Sequence, residues 1–443
     1  MPRVGVIRQG YYPHDPRVER EVDALVLAGH DVDVICLGSG EQPFRERLGG
    51  VTIYRIPLPK ASGGALSYML AYGSFFLSAS FLIGALHLRR PYQLVQVHSL
   101  PDPLVFAALI PKLLGARVML DLHECMPEFF VTKYGKSPDY VGVRLMAWLE
   151  QRSIRFADLA FTCTEQMRTA FASRGASRDK IGVVLNAANE SIFDPQKHPP
   201  QSRRPGQFTL ICHGSVEPLY GLDTIIRAVA LLRDELPVLR LEIYGSGSQL
   251  EELRGLATEL GVAEKVYFAG TWVPMPQLLD AIANADVGVV AIKRDRFRDL
   301  THCNKMFDLI SMKRPVIISR TDSVEAYFDE SCFIMFESKD VQDLADAIRK
   351  LCFNPELGAR LVKRATEVSE PYRWPHQREI YLDLVTRILD GGRAIAGNAR
   401  SRQTGLPEPA HVCVKGRASA IGSGAKPGSA TDDAALDAMA DTD

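Results

Sequence analysis

The sequence has no Cys-x-x-Cys pair; its eight cysteines, at 36, 125, 163, 212, 303, 332, 352 and 413, stand apart. That excludes the usual zinc-ligand spacings, and in a chain of 443 residues a disulfide framework is not expected, so the thiols read as reduced. There is no surplus of basic charge either. With 52 Lys and Arg against 53 Asp and Glu, the net charge is −1, which excludes a nucleic-acid partner, because such partners demand a basic surface. No Gly-x-Gly-x-x-Gly follows the first strand-like run. The loop there reads RQGYYPHDPR, which argues against a nicotinamide or flavin dinucleotide. The start, MPRVGVIRQG, enters a strand at once without a signal-peptide core, so a cytoplasmic protein is expected. The acidic pair Asp31-Val32-Asp33 falls inside a strand, so no metal-clamping acidic loop is read from it.

Charge is missing altogether from one stretch. Residues 61–88 hold no Asp, Glu, Lys or Arg, and Arg89 and Arg90 follow. The length suffices for a bilayer span, which takes about 20 apolar residues. Strand-like runs on both sides, VTIYRIPL and YQLVQVH, instead favour a helix within one α/β domain, buried or touching a membrane.

What is present is a rhythm of strands and helices. RVGVI reads as a buried strand, and Asp15 caps a helix that opens with Pro16 and buries Val18, Val22 and Leu25. DVDVICL, LVQVH and ARVMLDL continue the series, and such alternation gives a parallel, doubly wound sheet. A Pro-, Gln- and Ser-rich stretch interrupts it, and the alternation then restarts at FTLICHG. The expected organisation is α/β: a first domain over 1–190, a linker over 191–207 and a second domain over 208–371. A last helix near 372–388 crosses back, and a tail over 391–443 is too poor in large apolar residues to fold.

In doubly wound sheets ligands bind beyond the carboxyl ends of the strands, so the loops there carry the chemistry. GSVEPLYGL (214–222) and GSGS (245–248) each follow a strand, and glycines there let amides approach an anion. MLDLHECMPEFF places His123 and Glu124 at a strand end, where an imidazole is expected to donate to a sugar or phosphate, or to orient a neighbour. CNKMFDLISMKRPVIISR puts Lys305 and Asp308 on one face of a short helix. A cation beside a carboxylate suits a nucleotide sugar, phosphate taking the charge and ribose the acceptor. The plain alternative is an internal ion pair three residues apart.

In order along the chain, DPRVEREVDALVLAGHDVDVI, LDLHE, VVLNAANESIF, HGSVEPLYGLDTIIRAV, LEIYGSGSQLEEL, VYFAGTW, NKMFDLISMKRPVI and YRWPHQREIYLDLV resemble the GT-B glycosyltransferases, most closely glycosyltransferase family 4. The resemblance runs from residue 3 to about 388. It implies two Rossmann-like domains facing across a cleft and sugar transfer with retention from a UDP- or GDP-linked donor. It implies no metal or other cofactor. His123 and Lys305 fall on catalytic positions. Gly214, Ser215, Gly245, Gly270, Thr271, Asn304 and Asp308 fall on the donor side; Gly10, Arg17 and Glu124 fall on the acceptor side. Two departures stand out. The family's Arg and Lys in the 214–221 loop are replaced at Ser215 or Val216 and at Tyr220, and Leu300 stands where a carboxylate is usual. Lys293, Arg294, Arg296 and Arg298 are the candidates to restore the charge. The uncharged segment adds a lipid-linked saccharide acceptor, the inner membrane face as a partner, and cell-surface polysaccharide assembly as the setting. A non-hydrolysing nucleotide-sugar epimerase and a non-catalytic GT-B scaffold remain as alternatives.

Overall fold

The structure is a computed structural model and describes residues 1–40, 42–58, 65–200 and 206–391. The expected disordered tail beyond Gly391, part of the expected linker and the first four residues of the uncharged segment lie outside the described residues. The chain forms two compact units. The first comprises residues up to Phe161, then Ala172–Gly182 and the chain from Leu382; the second comprises Thr162–Phe171 and Val183–Tyr381. The expected boundary at 190 therefore falls eight residues late, because the short strand Ile181–Val183 ends the first sheet.

The first unit holds an eight-stranded sheet in the order β3-β4-β2-β1-β5-β6-β7-β8. Its strands are β1 (Arg3–Tyr11), β2 (Asp31–Leu37), β3 (Arg45–Leu48), β4 (Val51–Ile56), β5 (Leu94–His98), β6 (Arg117–Leu122), β7 (Leu159–Thr162) and β8 (Ile181–Val183). β1 pairs in parallel with β2 and β5. Val4, Val6 and Ile7 are fully buried, as befits a strand covered on both faces. Helix α1 (Pro16–Leu27) follows, its first turn capped by Asp15, which accepts from the amides of Arg17 and Val18. Gly49 and Gly50 turn β3 back antiparallel to β4, both at positive φ as a two-residue hairpin requires. Helix α2 (Ala65–Arg89) lies between β4 and β5, and helix α3 (Leu109–Leu113) precedes β6.

The second unit holds six parallel strands in the order β11-β10-β9-β12-β13-β14. They are β9 (Phe208–His213), β10 (Leu239–Tyr244), β11 (Val266–Phe268), β12 (Val287–Val290), β13 (Val316–Ser319) and β14 (Ile334–Phe336). The core between sheet and helices is aliphatic, with Leu210, Ile225, Leu241, Ile317 and Ile348 all without exposure. The long helix Trp374–Leu389 starts in this unit, where the Gln377 side-chain carbonyl accepts from the Leu185 amide, and ends in the first.

Candidate functional site

In the second unit the chain winds from β9 through β10 to β11, then returns to the other side of β9 with β12. The strand order reverses between β9 and β12, and open α/β sheets bind ligands at such a reversal. A small cavity lies there, lined by Gly214, Ser215, Tyr220, Ala291, Ile292 and Lys305. The sequence-expected lysine thus points into the crevice. Lys305 sits in the first turn of the helix Asn304–Ser311, and its ammonium lies 3.4 Å from the centre of the Tyr220 ring. Burial lowers the pKa of that ammonium, and Arg298 pushes the same way.

Two glycines make room for this arrangement. Gly214 has φ +95°, and a Cβ on it would lie 2.5 Å from Lys305 Cε, so the lysine occupies the space a side chain would take. Gly245, at φ +147°, abuts Gly214 so closely that a Cβ would lie 1.9 Å from its carbonyl oxygen. Ser215 is buried beside them. Asp308 does not pair with Lys305; its Oδ2 lies 3.1 Å from His213 Nε2, at the end of β9. The plain ion-pair alternative therefore does not form, and His213 is a site residue the sequence reading missed. Its only signal was its place immediately before Gly214.

The four loop cations separate cleanly. Lys293 is held by Asp223 at 3.0 Å, Arg294 by Asp299 at 2.9 Å and by Asp322, and Arg296 is exposed. Arg298 alone is buried, at 8% exposure, with its guanidinium carbon 5.5 Å from the Tyr220 ring centre. Tyr220 thus carries two cations near one ring, an arrangement its electron-rich face favours. The Leu300 backbone carbonyl accepts from Thr164 Oγ1 at 2.5 Å.

Gly270 and Thr271 follow the edge strand β11, two strands from β9 or about 10 Å at the usual strand spacing. Trp272 beside them is 62% exposed and was not singled out from sequence. Asn304 is exposed at the helix start.

In the first unit, β1 is flanked by β2 and β5, so its reversal point lies between β1 and β5. Arg17, the expected acceptor-side residue, donates to Asp121 Oδ1 at 2.5 Å. Asp121 Oδ2 faces two imidazoles at once, 3.0 Å from His98 Nδ1 and 2.9 Å from His123 Nε2. A carboxylate accepts, so each ring carries its proton toward it. His98 Nε2 is then left as an acceptor, and the Gln96 amide donates to it at 3.1 Å and to Glu21 Oε2 at 2.7 Å. His98 Nδ1 also lies 3.2 Å from His123 Nε2, so the three groups share a single polar cluster. Burial drops the His123 pKa to about 3, with Arg17 and Arg8 assisting against Asp121. Burial would raise the Asp121 carboxyl, but Arg17 and the imidazoles overcome it and hold it well below the usual range. His123 is thus placed beside Asp121 and His98 at the strand end where the sequence expects it. Gly10 lies in β1 against the Arg8 side chain, and Glu124 is half-buried after His123.

His98, Asp121 and His123 place ligand atoms within 4.8 Å of one another, close enough for an ion. Their lone pairs and protons are already matched to one another, and the Arg17 guanidinium sits on the same carboxylate. That donor set suits a hydrogen-bonded trio better than a cation. Asp33 is equally engaged, accepting from the Tyr92 hydroxyl at 2.6 Å and from Arg3.

Two doubly wound units in one chain, the second with a cation at its reversal point, define a GT-B protein. A family model described as glycosyl transferase 4-like domain matches residues 15–187, and one described as glycosyl transferases group 1 matches residues 207–354. The chain is thus built of a glycosyl transferase 4-like domain followed by a glycosyl transferases group 1 domain. The D-inositol 3-phosphate glycosyltransferase of Thermomonospora curvata is 27% identical over 269 residues, covering 55% of this chain and 60% of that protein. The GDP-mannose-dependent alpha-(1-6)-phosphatidylinositol monomannoside mannosyltransferase of Mycolicibacterium smegmatis is 28% identical over 34% of this chain and 40% of its own length. The chain thus spans no more than 60% of either relative. The sucrose-phosphate synthase of Thermosynechococcus elongatus shares the fold at a TM-score of 0.69 and 18% identity, over 88% of this chain and 100% of that one. A trehalose-6-phosphate structure from E. coli, bound with UDP-2-fluoro glucose, shares it at a TM-score of 0.67 and 13% identity, over 87% of this chain and 99% of that one.

Proposed function

We propose that this protein is a retaining glycosyltransferase that moves a sugar from a UDP- or GDP-linked donor to a lipid-linked saccharide acceptor. The observation that carries the reading is the Lys305 ammonium, seated in the space Gly214 leaves at the β9/β12 reversal. When the glycosidic bond to the nucleotide breaks, negative charge grows on the departing diphosphate. Lys305, Arg298 and the amides of the 214–221 loop are the groups that stabilise that charge, a contribution larger in the transition state than in the ground state. Arg298 stands in for the cations that Ser215 and Tyr220 do not supply.

Asp308, anchored by His213 through one oxygen, keeps the other for a ribose hydroxyl. A ribose and base extending about 10 Å toward β11 reach the Gly270–Thr271 loop, where the exposed Trp272 indole offers a stacking face. His123, in the first unit, is the polar group that meets a hydroxyl on the acceptor side. The chemistry requires no metal, and the setting is cell-surface polysaccharide assembly at the inner membrane face.

Calorimetry with UDP, GDP and ADP, followed by transfer assays in excess chelator, tests the reading. Binding of one nucleoside diphosphate and metal-free turnover are expected. An isomerised sugar nucleotide formed from donor alone assigns the site to an epimerase. Failure to bind any of the three nucleotides leaves a scaffold.

A further inference from the structure

Helix α2 carries two apolar stripes on opposite sides. The inner stripe is Tyr68, Phe75, Ala79, Ile83 and Leu86, all buried, and it packs on β1, where Ile83 lies 2.8 Å from the position of a Gly5 Cβ. The outer stripe is Leu70, Leu77, Phe81 and Leu88, which at 100° per residue share a line to within about 20°. These four are 63–78% exposed. Helix α3 widens the face: Ile110 abuts Gly84 of α2, and Leu109, Leu113 and Leu114 are exposed beside it. A helix packed on a sheet ordinarily turns polar residues outward. Adjoining helices with this many exposed large apolar side chains exceed what a lone soluble chain usually leaves uncovered.

We infer that this outward face of α2 and α3 docks in the plane of an anionic lipid bilayer. Among the described residues, one helix, Ser67–Arg89, is long and apolar enough to cross a membrane. Crossing would strip the inner stripe from β1, so the helix lies flat with its outer stripe down. Charge selects the occupant. No carboxylate occurs between Ser67 and Leu88, and the exposed Arg89 ends α2 at the rim of the apolar face; Arg90 pairs with Asp31 and Lys112 with Asp158 at 2.7 Å, so Arg89 is the cation this face offers to acidic headgroups. The inference is independent of the proposed chemistry, because this face belongs to the first unit and the Lys305 cavity to the second.

The test is co-sedimentation of the full chain with vesicles of phosphatidylcholine alone or with phosphatidylglycerol. Binding to the mixed vesicles that weakens with salt is expected, and L77E/F81E should lower partitioning by at least about tenfold. Both positions are exposed, so the variant should keep its melting temperature and its nucleotide-induced thermal shift. Wild-type protein that ignores mixed vesicles overturns the inference, as does a variant that binds them equally well. A dimer in light scattering that L77E/F81E dissolves, without vesicle binding, assigns the face to a second copy instead.

Discussion

Gly214 and Lys305 should behave as one device, and that coupling can be measured. Replacing Lys305 with alanine removes a charge-assisted contact to the diphosphate, worth about 1.5–3 kcal/mol, or roughly 10- to 150-fold in nucleotide affinity. Replacing Gly214 with alanine acts twice. At φ +95° a Cβ strains the backbone, costing on the order of 1–2 kcal/mol of stability. The same Cβ, 2.5 Å from Lys305 Cε, evicts the ammonium from its place and should weaken nucleotide binding nearly as much as losing it. In the double variant the evicted group is already gone, so the affinity losses should not add, whereas the stability loss from strain should persist. Titration calorimetry and thermal melts on the four proteins of this cycle separate the two effects. Additive affinity losses, or a Lys305→Ala protein that binds like wild type, would refute the claim that the glycine exists to seat the lysine.

Arg298→Ala should also weaken nucleotide binding, by about tenfold, whereas Lys293→Ala and Arg294→Ala, whose cations are spent on Asp223, Asp299 and Asp322, should change it less than about twofold; calorimetry decides. The buried Asp102 carboxyl is pushed up to about 8, first by burial and then by Glu150. Its native pKa exceeds its unfolded one, so its contribution is full below pH 3.8 and is lost as pH rises to about 8. Asp102→Asn should therefore flatten that fall, by up to about 1.4 kcal/mol per pH unit, in denaturant titrations at several pH values. His123 runs the other way: with its native pKa depressed from 6.5 to about 3, the unfolded chain takes the proton first, and stability falls as pH drops between those values. His123→Gln should reduce that acid sensitivity and lower turnover.

Most of the fold was legible because each element announces itself locally. Asp15 and Pro16 mark a helix start that the structure places within one residue, and the β-branched runs of β1, β2, β12 and β13 can only be buried strands. The edges were harder. β3 reads RERL, with no apolar alternation, and becomes a strand because Gly49 and Gly50 fold it onto β4. The boundary near 182 was hidden because β8 is three residues long and the Pro-rich stretch after it looked more like a linker.

The site divides along the same line between local and distant causes. Lys305, Asp308, Gly214 and Gly245 were legible because strand-end loops and a helix first turn reveal themselves in ten residues of sequence. What the sequence did not disclose is who holds whom. His213 is 95 residues from Asp308, and the Arg17–Asp121 contact spans 104. Arg298 could not be told from Lys293 or Arg294 by composition, since only their carboxylate partners in space distinguish the spent cations from the available one. The His123 environment is the extreme case. Its partners are Asp121 and His98, and His98 in turn is held by Gln96, so no single residue in the sequence discloses the cluster. An imidazole met at a strand end looks solitary in sequence; in the fold the same ring has a carboxylate at 2.9 Å and a second imidazole at 3.2 Å.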